Sequence, residues 1–148
     1  MKSLQQWLDE YGQSHQNPTN KRIHWTCVPL IFWSILAACA VVPVGPLNLG
    51  ILLSALVAVY YLRLHWKLGL RYLLVLAPLL VLNFYLLQEL GTGLLWLSLV
   101  VFALAWVGQF YGHHVEGAKP SFLKDLQFLL IGPAWVIHQL IPFSKSST

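Results

Sequence analysis

The sequence predicts an all-α integral membrane protein. Four transmembrane helices are expected, with an N-terminal amphipathic helix before them and a C-terminal interfacial or re-entrant helical segment after them. Three observations carry this. Hydrophobic residues make up 57% of the 148 residues and charged residues only 9%, against roughly a quarter charged in an ordinary soluble domain. From Trp25 to Gly112 the only charged side chains are Arg63, Lys67, Arg71 and Glu89, too few to clothe a surface in water but enough for one in lipid. Short turn signals then divide this apolar stretch into runs of nearly membrane-spanning length. One membrane domain over residues 1–148 follows: 1–24 a cytoplasmic amphipathic helix and connecting strand of polar residues, 25–111 the spans, and 112–143 a polar segment and apolar tail.

Leu4, Trp7, Leu8 and Tyr11 fall at i, i+3, i+4 and i+7, one face of a helix. That face belongs on the membrane surface or against the bundle. Pro18 ends this helix, because it pushes Asn17 out of helical angles, and Thr19 or Asn20 is placed to cap the next one. The first span is expected from Trp25 to Val42, with Pro43, Gly45 and Pro46 forming an uncharged turn. The second runs from Leu47 to Leu64, and Arg63, His65, Lys67 and Arg71 make a short basic connection. The third runs from Tyr72 to Leu87, with Pro78 a candidate kink. Gln88 to Gly93 form a second turn, and the fourth span runs from Leu94 to Tyr111. These runs fall slightly short of the ~20 residues that cross a hydrocarbon core of ~30 Å, which a locally thinned bilayer accommodates. Gly117 reads as a helix stop and Pro120 as a first helical residue. The apolar tail from Ser121 to Phe143 is interrupted by Pro133 and is read as interfacial or re-entrant in preference to a fifth span.

Cys27 and Cys39 lie 12 residues apart in the first span, about 18 Å along a helix axis, too far for a disulfide. About 24 mostly polar residues precede the first span, with Asp9 and Glu10 among them, so no cleavable signal peptide is visible.

Charge sets the topology. With the amino terminus cytoplasmic and four spans threaded, Lys2, Lys21, Arg22, Arg63, Lys67, Arg71, Lys119, Lys124 and Lys145 all reach the cytoplasmic side, and the opposite face receives Glu89. This obeys the preference of Lys and Arg for that side and makes both termini cytoplasmic. The net charge of +4 is spread in short clusters between apolar runs, so it points to lipid headgroups and not to nucleic acid. Few ionisable residues fall inside the spans, which argues against a transporter.

The same threading brings His15, His24, His65, His113 and His114 to that face, while His138 lies in the tail. Hydropathy does not require this clustering. Histidine is the commonest metal ligand through its neutral ring nitrogen. His113 and Glu116 share a helix face at i and i+3, and His114 is turned about 100° away. His15 and His24 flank the Asn17–Pro18 break, which can fold them together. His15, His24, His113 and Glu116 therefore form a candidate set around one divalent ion. Histidine with a carboxylate and open positions suits non-haem Fe(II), similar ligands suit hydrolytic zinc, and spacing does not choose between them. The plainer alternative is that interfacial histidines only meet headgroups. Trp7, Trp25, Trp66, Trp135 and Tyr111 read as interfacial anchors. No G-x-S-x-G turn, phosphate-binding glycine loop, Cys–His zinc framework or haem-attachment motif is present.

Two strings resemble a known family. Tyr11-x-x-x-His15-x-Asn17-x-x-Asn20-Lys21-x-x-His24, followed by Pro29, is similar to its first motif. Gln109-Phe110-x-Gly112-His113-x-x-Glu116-Gly117-x-x-Pro120 is similar to its second, and Gly132-Pro133 fits its tail. The family is the 2-hydroxy fatty acid dioxygenases of the fungal endoplasmic-reticulum type and their bacterial relatives, and the resemblance covers about Leu4 to Leu140. It implies fatty acid α-oxidation, in which a 2-hydroxy long-chain acid loses one carbon using Fe(II) and dioxygen without an oxoacid cosubstrate. It implies an endoplasmic-reticulum or bacterial inner membrane. His15, His24 and His113 would hold the iron, with Glu116 as a fourth ligand or as a partner of one. Lys21 would pair the substrate carboxylate, and Asn17, Asn20 or Gln109 would orient it or a histidine ring. The rival classes are another metal-dependent lipid enzyme, such as a zinc hydrolase, and a non-enzymatic membrane protein that binds lipid or a partner.

Overall fold

A computed structural model describes residues 3–13, 15–117 and 128–140. Six helices appear among them: α1 Leu4–Gln13, α2 Pro18–Ala40, α3 Leu49–Leu64, α4 Trp66–Leu90, α5 Gly93–Glu116 and α6 Ile131–Leu140. A two-residue hairpin, β1 Pro43–Val44 and β2 Leu47–Asn48, turns the chain between α2 and α3. Apart from that turn the described residues form an all-α fold.

Helix α2 is the central post. It packs along α5 and also meets α3, α4 and α6. Its start is set by Asn17, whose backbone is extended at φ −67°, ψ 128° and whose side chain accepts a hydrogen bond from the Thr19 N–H at 2.8 Å. The extended angle that a following proline imposes is the angle an N-cap needs, and Pro18 at the first helical position lacks the N–H that would go unsatisfied there. The cap is therefore Asn17, not Thr19 or Asn20. The helix also begins before Trp25, which puts Asn20 and His24 on a rigid element.

Three helices, α2, α4 and α5, are long and apolar enough to cross a membrane, whereas α3 has 16 residues, about 24 Å at 1.5 Å per residue. The expected second span is shortened because the hairpin takes Leu47 and Asn48, and Asn48 caps α3 by accepting from the Ile51 N–H at 3.0 Å. Helix α3 is anchored near both of its own ends. Gly50 lies against the backbone of Leu36 and Ala40, near the end of α2. At its far end Tyr61 donates its hydroxyl to the Leu130 carbonyl, just before α6. Exposed Leu56, Leu74, Val81, Phe84, Trp96 and Leu104 cover the outside. An apolar surface of that extent faces lipid, and the protein is a membrane-embedded helical bundle.

Other boundaries move. His65 alone separates α3 from α4, so Lys67 and Arg71 lie in helix α4 and not in a loop. Helix α4 runs unbroken through Pro78, and the second turn narrows to residues 91–92. Gly117 stops α5 in the left-handed conformation, φ 72°, as a C-terminal glycine does. Pro133 does not interrupt the tail helix. It sits in the first turn of α6, where no intrahelical bond is lost. Pro120, residues 121–127 and residues 141–148 lie outside the described residues. Both cysteines are free.

The amphipathic face of α1 packs inward. Leu4, Leu8 and Tyr11 are buried in one cluster with Val28, Phe32, Tyr61 and Trp135. Burying a leucine contributes about 1.5–3 kcal/mol, so α1 is held down on α6 over the end of the bundle where the histidines collect.

Candidate metal centre

Three separate segments deliver one histidine each. His15 lies in the turn after α1, His24 in the second turn of α2 and His113 in the last turn of α5. All three are buried, at 2%, 1% and 5% exposure. The ring centroids of His15 and His24 are 4.2 Å apart, of His24 and His113 5.0 Å, and of His15 and His113 5.7 Å. One ring nitrogen of each lies within 4.8 Å of the others. No other such group occurs among the described residues.

Neighbouring backbone fixes the rings. Nδ1 of His15 lies 2.7 Å from the Tyr11 carbonyl and Nδ1 of His24 lies 3.0 Å from the Asn20 carbonyl. A carbonyl only accepts, so in each ring Nδ1 carries the proton and Nε2 keeps its lone pair. Metal-binding histidines are set in this way by a partner on the other nitrogen. Tyr11 also stacks on His15 with centroids 4.3 Å apart and planes at 11°, and Trp135 flanks it at 5.4 Å. Three buried, convergent imidazoles fit a divalent ion with open coordination positions. The cluster is capable of coordinating a metal ion.

Close helix packing makes the convergence possible. A Cβ on Gly108 would lie 2.5 Å from Cys27 Sγ, and one on Gly112 would lie 2.4 Å from Asn20 Oδ1 and 3.3 Å from His24 Cε1. The two glycines, four residues apart, let the α5 backbone approach α2 as small residues do in membrane helix pairs.

Glu116 is near but is not one of the convergent donors. Its Oε1 accepts from the Gln16 N–H at 2.8 Å and its Oε2 accepts from the Asn17 N–H at 2.9 Å and from Asn20 Nδ2 at 2.8 Å. The carboxylate thus ties the end of α5 to the turn carrying His15 and to the start of α2. Lys21 is half-buried and borders a polar cleft of about 340 Å³, with His15, Gln16, Trp135 and His138 also on its walls. Burial pushes the His138 imidazole below its usual pKa, and Arg71 adds to this against the pull of Asp9. Gln109 lies one turn before His113, on the same buried face of α5.

His65 precedes α4 and His114 is exposed, and neither belongs to the convergent group. Trp25, Trp66 and Tyr111 are exposed, as interfacial anchors are, but Trp135 is 2% exposed and sits beside His15. Trp135 and His138 also border the cleft beside His15, and no spacing in the sequence links them to it. Tyr11, four residues before His15, and the Gly108–Gly112 pair did carry a signal in their spacing.

Comparison with known proteins fits this geometry. Residues 1–142 match the family model described as "Mpo1-like: 2-hydroxy-palmitic acid dioxygenase Mpo1-like". The chain is 30% identical over 143 residues to the Saccharomyces cerevisiae protein named 2-hydroxy-palmitic acid dioxygenase MPO1, covering 93% of this chain and 79% of the relative. No solved structure matches. With nearly the whole length aligned to one model and to a relative, the chain belongs to the Mpo1-like family.

Proposed function

We propose that this protein is an Fe(II)-dependent dioxygenase that removes one carbon from 2-hydroxy long-chain fatty acids at the cytoplasmic face of its membrane. The observation that carries the reading is the convergence of His15, His24 and His113 at one end of an apolar bundle. Family membership supports it, since the yeast relative is named a 2-hydroxy-palmitic acid dioxygenase.

His15, His24 and His113 would hold the iron and leave positions open for the substrate and dioxygen. Bound there, iron supplies the activation of dioxygen beside the carbon–carbon bond to be cut. The chain's own residues seat the acid. A long acyl tail stays in lipid, and its carboxylate stays at the interface, at the depth of the histidines. Lys21, on the wall of the polar cleft, pairs that carboxylate. Asn17 and Asn20 act through Glu116, which they hold between α5 and the His15 turn. Glu116 is thereby a partner of the ligand-bearing elements in this reading.

The proposed topology is four crossings with both termini cytoplasmic, in an endoplasmic-reticulum or bacterial inner membrane. The distribution of Lys and Arg supports it. Membrane lipids are the surrounding partners, and nucleic acid has no part. Three imidazoles also suit zinc, so a zinc-dependent lipid hydrolase is the second reading, and it predicts turnover without oxygen.

Purified protein loaded with Fe(II) and incubated in air with a 2-hydroxy C16 acid is expected to yield the acid one carbon shorter, with none formed under argon. Turnover that persists under argon, or that follows zinc and not iron, sinks the proposal.

A further inference from the structure

Asn83 of α4 is 4% exposed, and its Oδ1 has no hydrogen-bond partner among the described residues. A polar group inside a membrane-spanning helix has no water to turn to, so an unmet amide there is costly and calls for an explanation. Asn83 lines a cavity of about 110 Å³ between α2, α3 and α4, with Leu36, Ala40, Ile51 and Leu80 also on its walls. Asn48 is the second polar residue there. Its side-chain oxygen is taken by the Ile51 N–H at 3.0 Å, which leaves its NH₂ group to donate. No described residue on the walls is charged. Exposed Phe84 borders the cavity too, so the mouth opens on the lipid-facing side of the bundle. Ala40 ends α2, and Leu36 lies 12 residues after His24 on that helix, about 18 Å along its axis. The cavity is therefore remote from the histidine cluster.

We infer that this cavity binds the diol head of an uncharged lipid, a monoacylglycerol, at the end of the bundle opposite the histidines. A hydroxyl both donates and accepts, so it meets the Asn83 amide whichever way round that amide lies. A second hydroxyl on the next carbon accepts from the Asn48 NH₂ group. A phosphate or ammonium head is disfavoured, because it would be buried with no opposite charge beside it. Size points the same way. A cavity of about 150 Å³ holds benzene, so 110 Å³ suits the few heavy atoms of a CHOH–CH₂OH group and is too small for a sterol ring system. The acyl chain leaves past Phe84 into the bilayer. This site is independent of the metal centre and of the reaction proposed for it.

The test is photolabelling of the full chain in phosphatidylcholine vesicles. The probe is a 1-monoacylglycerol with a diazirine near the start of its acyl chain, and labelled residues are mapped by mass spectrometry. Label is expected to concentrate on Ile51, Leu80 or Phe84. Excess plain monoacylglycerol is expected to displace it, whereas the dimethyl ether, which keeps both oxygens but has no O–H to donate, is not. Asn83→Leu, of similar size and without the amide, is expected to cut labelling at these residues by about 10-fold at unchanged helix content. A folded Leu variant labelled as strongly as wild type overturns the inference. So does wild-type label spread evenly over the lipid-facing surface, which would leave the cavity to water. Displacement by the dimethyl ether as readily as by monoacylglycerol overturns it too, and that comparison decides the matter even where the variant does not fold. A long-chain alcohol that displaces the probe equally well overturns the assignment of a diol head.

Discussion

Ser34, Ser54 and Ser98 are buried in the middle of the bundle, and each donates its hydroxyl to a carbonyl three or four residues earlier in its own helix. At the other end of the same helices, Glu116 takes donors from Gln16, Asn17 and Asn20, about a hundred residues away in sequence. His15, His24 and His113 meet there from three different segments. Both regions bury polar groups among apolar ones, but they satisfy them differently. A back-bonded serine costs little and needs no partner helix. His15 and His24 also bond a carbonyl four residues back, but a cluster assembled across elements exists only if those elements hold one arrangement, and it loses its meaning if any of them shifts. The first kind of polar residue is tolerated by the bundle. The second kind is what the bundle is arranged to support.

Substitutions at the two regions should differ accordingly. His113→Ala removes a convergent ring, and the purified variant is expected to lose its metal and to fall at least 100-fold in turnover. Gly112→Ala forces a methyl against Asn20 and His24. It is expected to weaken metal affinity by roughly 10–100-fold, as loss of support around ligands does, measured by competition with a chelator. Glu116→Gln replaces one accepting oxygen with an NH₂ group that faces N–H donors. About a 10-fold loss of metal affinity is expected, with metal still bound at saturation. Complete loss of metal in that variant would instead make Glu116 a direct ligand. Ser54→Ala, in the middle of the bundle, is expected to change stability by about 0.6 kcal/mol or less and to leave metal content untouched. A large loss of metal from Ser54→Ala would erase the contrast between the two regions.

Much of this was legible in the sequence for identifiable reasons. Apolar runs and turn residues marked the helices, because lipid demands long unbroken helical segments. The Asn17–Pro18 break placed His15 beside His24, and the i, i+3 relation put His113 and Glu116 on one face. The count of full-length spans was not legible, because hydropathy does not register that Asn48 caps a helix and cuts the second run to 16 residues. Spacing leaves Glu116 either a fourth ligand or a partner of one, and it gives no sign of the bonds that its carboxylate accepts from the Gln16 and Asn17 N–H groups. Trp135 and His138 could not be found by spacing, since α6 reaches the site through tertiary packing on α1, α2 and α4.

The central claim is that His15, His24 and His113 hold one metal ion between them. Elemental analysis of the purified protein and of single alanine variants tests it most directly. About one iron per chain is predicted in wild type, none in His15→Ala, His24→Ala or His113→Ala, and the wild-type amount in His65→Ala and His114→Ala. A wild type that is active without metal, or iron that stays at full occupancy in all three cluster variants, would contradict it.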